Sequence, residues 1–94
     1  MNKCLRIHFS MDKIPTTFLR SVIKKYAEKF ELEGTAQTPN NSDNVRIIVC
    51  GLKDSVDDFV DMIHKNSSKY PIKDLTIEPF VRNKDYRNVF RIIE

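Results

Sequence analysis

An arginine at the opening of a helix is well placed to hold an anion. Its guanidinium offers a planar fork of N–H donors, and the first-turn amides add positive dipoles. Arg20 stands at such a position, shortly after Thr16 and Thr17, either of which can cap the helix by accepting a backbone N–H bond. The competing reading is an ordinary exposed arginine in a first turn, where the dipole is slightly adverse. Other reactive side chains are scattered. Cys4 and Cys50 are the two cysteines, without CxxC spacing, and His8 and His64 are the two histidines. With the first and third strands parallel and side by side, the cysteines fall at opposite ends and no four-ligand metal site forms. A structural role is therefore expected for all four. Reduced thiols are expected, with a disulfide between the two as the alternative. Asp54, Asp57, Asp58 and Asp61 follow the spacing of an acidic helix face rather than that of paired carboxylates in a cleft.

The elements that must position these groups can be read from hydropathy. Leu5, Ile7 and Phe9 alternate with Cys4, Arg6 and His8, which predicts a strand over Lys3 to Ser10 with one face buried. A turn-like stretch follows, in which Pro15 keeps Ile14 out of the helical region, so the next helix begins after it. Leu19, Val22, Ile23, Tyr26, Ala27 and Phe30 make one apolar stripe and carry that helix to about Phe30. Gly34 marks the turn into a second strand ending at about Thr38. The turn formers from Pro39 to Asn44 then predict a hairpin. Val45, Ile47 and Val49 alternate along a third strand closed by Gly51. A second helix from about Ser55 to Lys65 turns Val56, Phe59, Val60 and Ile63 inward, with aspartates near its start and Lys65 near its end as the dipole prefers. A fourth strand runs from about Lys73 to Phe80 and a short final one from Val89 to Ile93. The pattern is an α+β, ferredoxin-like β-α-β-β-α-β sandwich: an antiparallel sheet, two helices on one face, and a short extra C-terminal strand.

Length and composition narrow the function. Ninety-four residues predict one domain spanning 1–94. A composition that is 40% hydrophobic and 31% charged points to a globular chain rather than a disordered one. The net charge of +3 is spread along the sequence, which favours anionic ligands slightly without marking a nucleic-acid binder. RNA-binding modules of this fold class stack bases on aromatic side chains of the central strands. Here the outward positions are Arg6 and His8 on the first strand and Arg46, Ile48 and Cys50 on the third, so nucleic acid enters only as a non-specific partner of Lys and Arg. No apolar run approaches the ~20 residues of a membrane helix, and the N-terminus lacks the pattern of a signal peptide. A cytoplasmic monomer with no membrane partner is expected.

The segment "FLRSVIKKYAEKFELEGTAQT", followed by "VRIIVCGLKDSVDDFVDMI", resembles the acylphosphatase family. In that family a Phe-Arg pair opens the first helix, an Ala follows seven residues after the Arg, and a Gly-x-Val-x-Asn strand comes next. Leu19-Arg20, Ala27 and Gly34-Thr35-Ala36-Gln37-Thr38 fall at the same intervals, and Gly51, Val56, Phe59 and Ile63 fit the family's strand end and second helix. The resemblance implies hydrolysis of the carboxyl-phosphate bond of an acyl phosphate, with no metal or cofactor. Arg20 falls on the phosphate-binding arginine. Thr38 falls where the family has the Asn that orients water. The family's phosphate loop is rich in glycine; this chain has Asp12 to Leu19 in its place with no glycine, and about one residue more if Phe9 keeps an inward place. Lys13, Thr16 and Thr17 can stand in through an ammonium and two hydroxyls, while Pro15 removes one amide donor. Asn40 or Asn41 is the alternative source of the missing amide, though both suit a turn. A non-catalytic module on the same fold, binding an anion, a nucleic acid or a protein, is the alternative function.

Overall fold

Alternating strands and amphipathic helices bury their apolar sides only by stacking sheet against helices, and the chain does so. The computed structural model describes residues 2–15, 17–39, 43–66, 69–81 and 89–93. Strand β1 is Asn2–Ser10. The first helix opens as a π-helical stretch, Leu19–Lys24, and continues as α1, Lys25–Lys29. Then come β2 (Glu33–Gln37), β3 (Asn44–Leu52), α2 (Lys53–Asn66), β4 (Lys73–Pro79) and β5 (Phe90–Ile93). The five strands lie in the order β4-β1-β3-β2-β5. The first four in that order pair antiparallel with one another, whereas β5 runs parallel to β2. The extra C-terminal strand is present, and it makes the sheet mixed where a wholly antiparallel one was expected.

One core joins sheet and helices. Ile7 and Phe9 from β1, Ala36 from β2, and Val45, Ile47 and Val49 from β3 are buried with Ile23, Ala27, Val56, Phe59, Met62 and Ile63 from the helices. Period-two alternation thus sends the odd residues of β1 and β3 to the helix side, and leaves Arg6, His8, Arg46 and Ile48 on the open side. Gly51 does not end β3, which continues to Leu52.

Strands β1 and β3 are antiparallel, not parallel. A crossover through the first helix returns β2 parallel to β1, one strand position away, and the hairpin reverses β3 into the gap. Register then sets Cys4 directly opposite Cys50, with Cα atoms 4.1 Å apart, and the two form a disulfide. The reduced thiols expected from the sequence are corrected accordingly. That expectation failed because strand direction, not spacing, decides which residues meet.

The start of the first helix also departs from expectation. Its fully buried residues are Phe18, Ile23 and Ala27, spaced five and then four, while Leu19, Val22, Tyr26 and Phe30 are half-buried around them. An inward pair five residues apart fits the i→i+5 turn of a π-helix, which amounts to an α turn with one residue added. The helix ends in a Schellman motif: Leu32 N–H donates to the Ala27 carbonyl and Glu31 N–H to that of Glu28, with Glu31 at φ +57°. Gly34 then sits inside β2 at φ +142°, so close to β3 that a Cβ would overlap the Ile48 carbonyl oxygen. It is a close-approach residue of the sheet rather than a turn.

Candidate functional site

The connection from β1 to the first helix is anchored by side chains. Met11 and Phe18 are almost fully buried and Ile14 is half-buried against the core. The Phe18 ring meets Phe9 edge-on at 6.3 Å and Tyr70 at 5.0 Å. Met11 N–H donates to the Asp43 carbonyl at 2.8 Å, and Lys73 Nζ reaches the Asp12 carboxylate at 2.8 and 2.9 Å. The Asp12 hydrogen bond and charge also hold the Lys73 ammonium above its ordinary pKa. Where a glycine-rich loop would wrap its backbone around an anion, this segment inserts apolar side chains into the core. The sequence carried no signal for the Asp12–Lys73 contact, which joins residues far apart in the chain.

Of the residues singled out from the sequence, Lys13, Thr17 and Arg20 are exposed and Thr38 is half-buried. Thr16, Asn40 and Asn41 lie outside the described residues. Phe18, not Thr17, occupies the cap position of the first helix, and it makes no side-chain capping bond. Thr17 contributes its carbonyl instead, which accepts from both the Ser21 N–H and the Ser21 hydroxyl at 2.7 Å. Phe18 N–H donates to the Pro15 carbonyl at 2.9 Å, so two amides near the helix start are committed within the chain.

Arg20 lies within the π turn. Residues seven apart on an α-helix lie within about 20° of one another, which would stack Arg20 under the inward-facing Ala27. The wider turn rotates Arg20 off that stripe, and Ala27 is buried while Arg20 is exposed. Thr38 follows the last residue of β2. Carrying the strand's alternation one residue further places it on the helix side, with Ala36.

Three concavities lined by described residues lie elsewhere. One of about 450 Å³ sits between the helices against Tyr26, Phe30, Asp58, Asp61 and Met62. Another of about 430 Å³ is formed by Glu28, Glu31, Leu32, Val89 and Phe90. A third, of about 440 Å³, lies on the open sheet face against Arg6, His8, Arg46, Thr76 and Glu78. These three do not take in Lys13, Thr17, Arg20 or Thr38. Asp57, one of the acidic series on α2, is a structural partner: it accepts from Lys3 of β1 at 2.7 Å and from Lys53 at 3.0 Å. These bonds, Lys3 first, hold its carboxyl below the usual Asp range and raise the Lys53 ammonium. Among the described residues no helix is long and apolar enough to cross a membrane.

No curated protein matches the chain by sequence. Solved structures match its fold. An acylphosphatase from Coxiella burnetii superposes with a TM-score of 0.79 at 23% identity, over 98% of this chain and 93% of its own. The acylphosphatase of Bacillus subtilis gives a TM-score of 0.79 at 18% identity, over 100% of each chain. Full-length HypF, solved in a phosphate- and nucleotide-bound form, gives 0.81 at 23% identity, but only 12% of that chain is involved. At these identities the likeness speaks for the fold. Family membership rests on sequence: the profile of the family described as Acylphosphatase matches residues 16–92. A match over most of the chain, which takes in the first helix, the β2–β3 hairpin and α2, makes this protein a member of the acylphosphatase family.

Proposed function

We propose that the domain receives a phosphoryl group beside Arg20 and hydrolyses the carboxyl-phosphate bond of an acyl phosphate slowly. What supports this reading is the sequence spacing that sets Arg20 at the family's arginine, within the stretch 16–92 matched to the family. Water attacks phosphorus, the carboxylate leaves with the electrons of the P–O bond, and inorganic phosphate and a proton are released. Arg20 neutralises the phosphoryl oxygens, Lys13, Thr16 and Thr17 add donors, and no step calls for a metal or cofactor. Thr38 orients water less well than an Asn, because a hydroxyl reaches less far than an amide and donates a single proton. The ligand is a small anion, the acting species a monomer, and the setting the cytoplasm.

Benzoyl phosphate hydrolysis by the wild type and by Arg20→Ala tests the proposal. Turnover above background that the substitution removes supports it. Thr38→Asn should raise turnover if the register is right. The committed amides of Phe18 and Ser21 and the exposure of Arg20 favour a second reading, a module that holds the anion without hydrolysing it. Its mark would be phosphate binding that Arg20→Ala abolishes, with no turnover in clean wild-type protein.

A further inference from the structure

The open face of the sheet has a row of donors with no acid in it. Register aligns Thr76, His8, Arg46 and Gln37 across β4, β1, β3 and β2, and aligns Glu78, Arg6, Ile48 and Thr35 in the next row. In the second row charge is matched: Arg6 Nη2 lies 3.2 Å from Glu78 Oε2, and its guanidinium sits over the Phe80 ring. In the first row the cross-strand neighbours of Arg46 are His8 and Gln37. Neither the Arg46 nor the His8 side chain has a hydrogen-bond or ion-pair partner among the described residues. Lys3 and Lys53 share Asp57, and Lys73 has Asp12, so matched charge is common elsewhere on this surface. Cross-strand pairs of opposite charge stabilise a sheet, and a row of donors forgoes that unless an anion completes it.

We infer that this concavity is a binding site for the phosphate group of a small phosphomonoester. Arg46 forks two phosphate oxygens, His8 donates from beside it, the Thr76 hydroxyl turns to the phosphate from its long 3.5 Å bond to the His8 carbonyl, and Glu78, held by Arg6, accepts from a ligand hydroxyl. The volume of about 440 Å³ lies within the range of small-ligand sites. The chemistry does not favour a polynucleotide: the open-side positions of the described strands carry no Phe, Tyr or Trp for base stacking, and Phe80 is half-buried beneath Arg6. Arg20 belongs to the helix layer on the other side of the sheet, so this site stands independently of the proposed hydrolase.

The test is an NMR titration of ¹⁵N-labelled protein with glucose 6-phosphate at low salt, beside glucose and a single-stranded oligothymidylate. Expected are amide shifts centred on His8, Arg46 and Thr76. Arg46→Gln should weaken binding about tenfold or more, as loss of a charge-assisted pair of bonds predicts, while its spectrum otherwise stays native. Arg20→Ala should leave this binding unchanged. Shifts confined to the Pro15–Arg20 segment, equal binding of glucose, or affinity indifferent to Arg46→Gln would overturn the site. Tighter, steeply salt-dependent binding of the oligonucleotide at the same residues would replace it with a nucleic-acid surface.

Discussion

At Gly34 a single added methyl has nowhere to go, because the Ile48 backbone fills its place and φ is +142°. Gly34→Ala is expected to cost roughly 3 kcal/mol or more, from backbone displacement and an unfavourable conformation together. A urea unfolding curve compared with wild type measures this, and a loss under 1 kcal/mol would show that the two strands separate easily. The same residue shows what a sequence conceals. That a glycine stood there was plain, but turn and close approach look alike until a neighbouring strand is placed. Arg20 poses the matching difficulty at the site. Its position in the family spacing was legible and its direction was not, since direction depends on whether the turn that carries it is α or π. On the proposed register Thr38 stands where the family has an Asn, and Thr38→Asn is the sharper of the two site tests because it predicts a gain.

The elements were legible wherever apolar periodicity ran unbroken. Strand β1 and helix α2 differ from expectation by one or two residues at their ends. The first helix was legible as a stripe, yet Phe18, a buried anchor at its start, was left out of that stripe. Its far end supports a prediction. Glu31 adopts the left-handed conformation at the Schellman position that glycine fills most easily. Left-handed backbone costs an ordinary residue about 1–2 kcal/mol, and glycine's extra freedom when unfolded returns about half of that. Glu31→Gly should therefore stabilise the fold by about 0.5–1 kcal/mol, seen as a raised urea midpoint with unchanged slope. A lowered midpoint would mean that the Glu31 side chain contributes more than its backbone costs.

Across the whole molecule, the contacts that bind distant segments are the ones no local pattern announces. Lys3, Asp57 and Lys53 tie β1 to α2. Because the Asp57 carboxyl is held below its usual range, its contribution is complete above the ordinary Asp pKa and is lost as pH falls through the lowered folded value. The raised Lys53 gives the opposite limb, lost only as pH rises through the Lys range. Thermal melts of Asp57→Asn should run below wild type near neutrality and converge with it in acid. Parallel curves at all pH values would show that the cluster adds nothing. The Cys4–Cys50 bond ties the two central strands across a sequence separation of 46. Reducing it, or substituting both cysteines by serine, should remove about 2–4 kcal/mol, measurable as the shift between urea curves with and without reductant.

That bridge also bears on how fast the chain finds its structure. The β1–β3 ladder unites segments that an open chain must first bring together by diffusion, at the entropic expense of closing a long loop. With the sulfurs joined, the search begins already closed. Refolding from denaturant should consequently be quicker for the oxidised chain than for the reduced one in stopped-flow, and equal rates would place the meeting of those strands after the barrier.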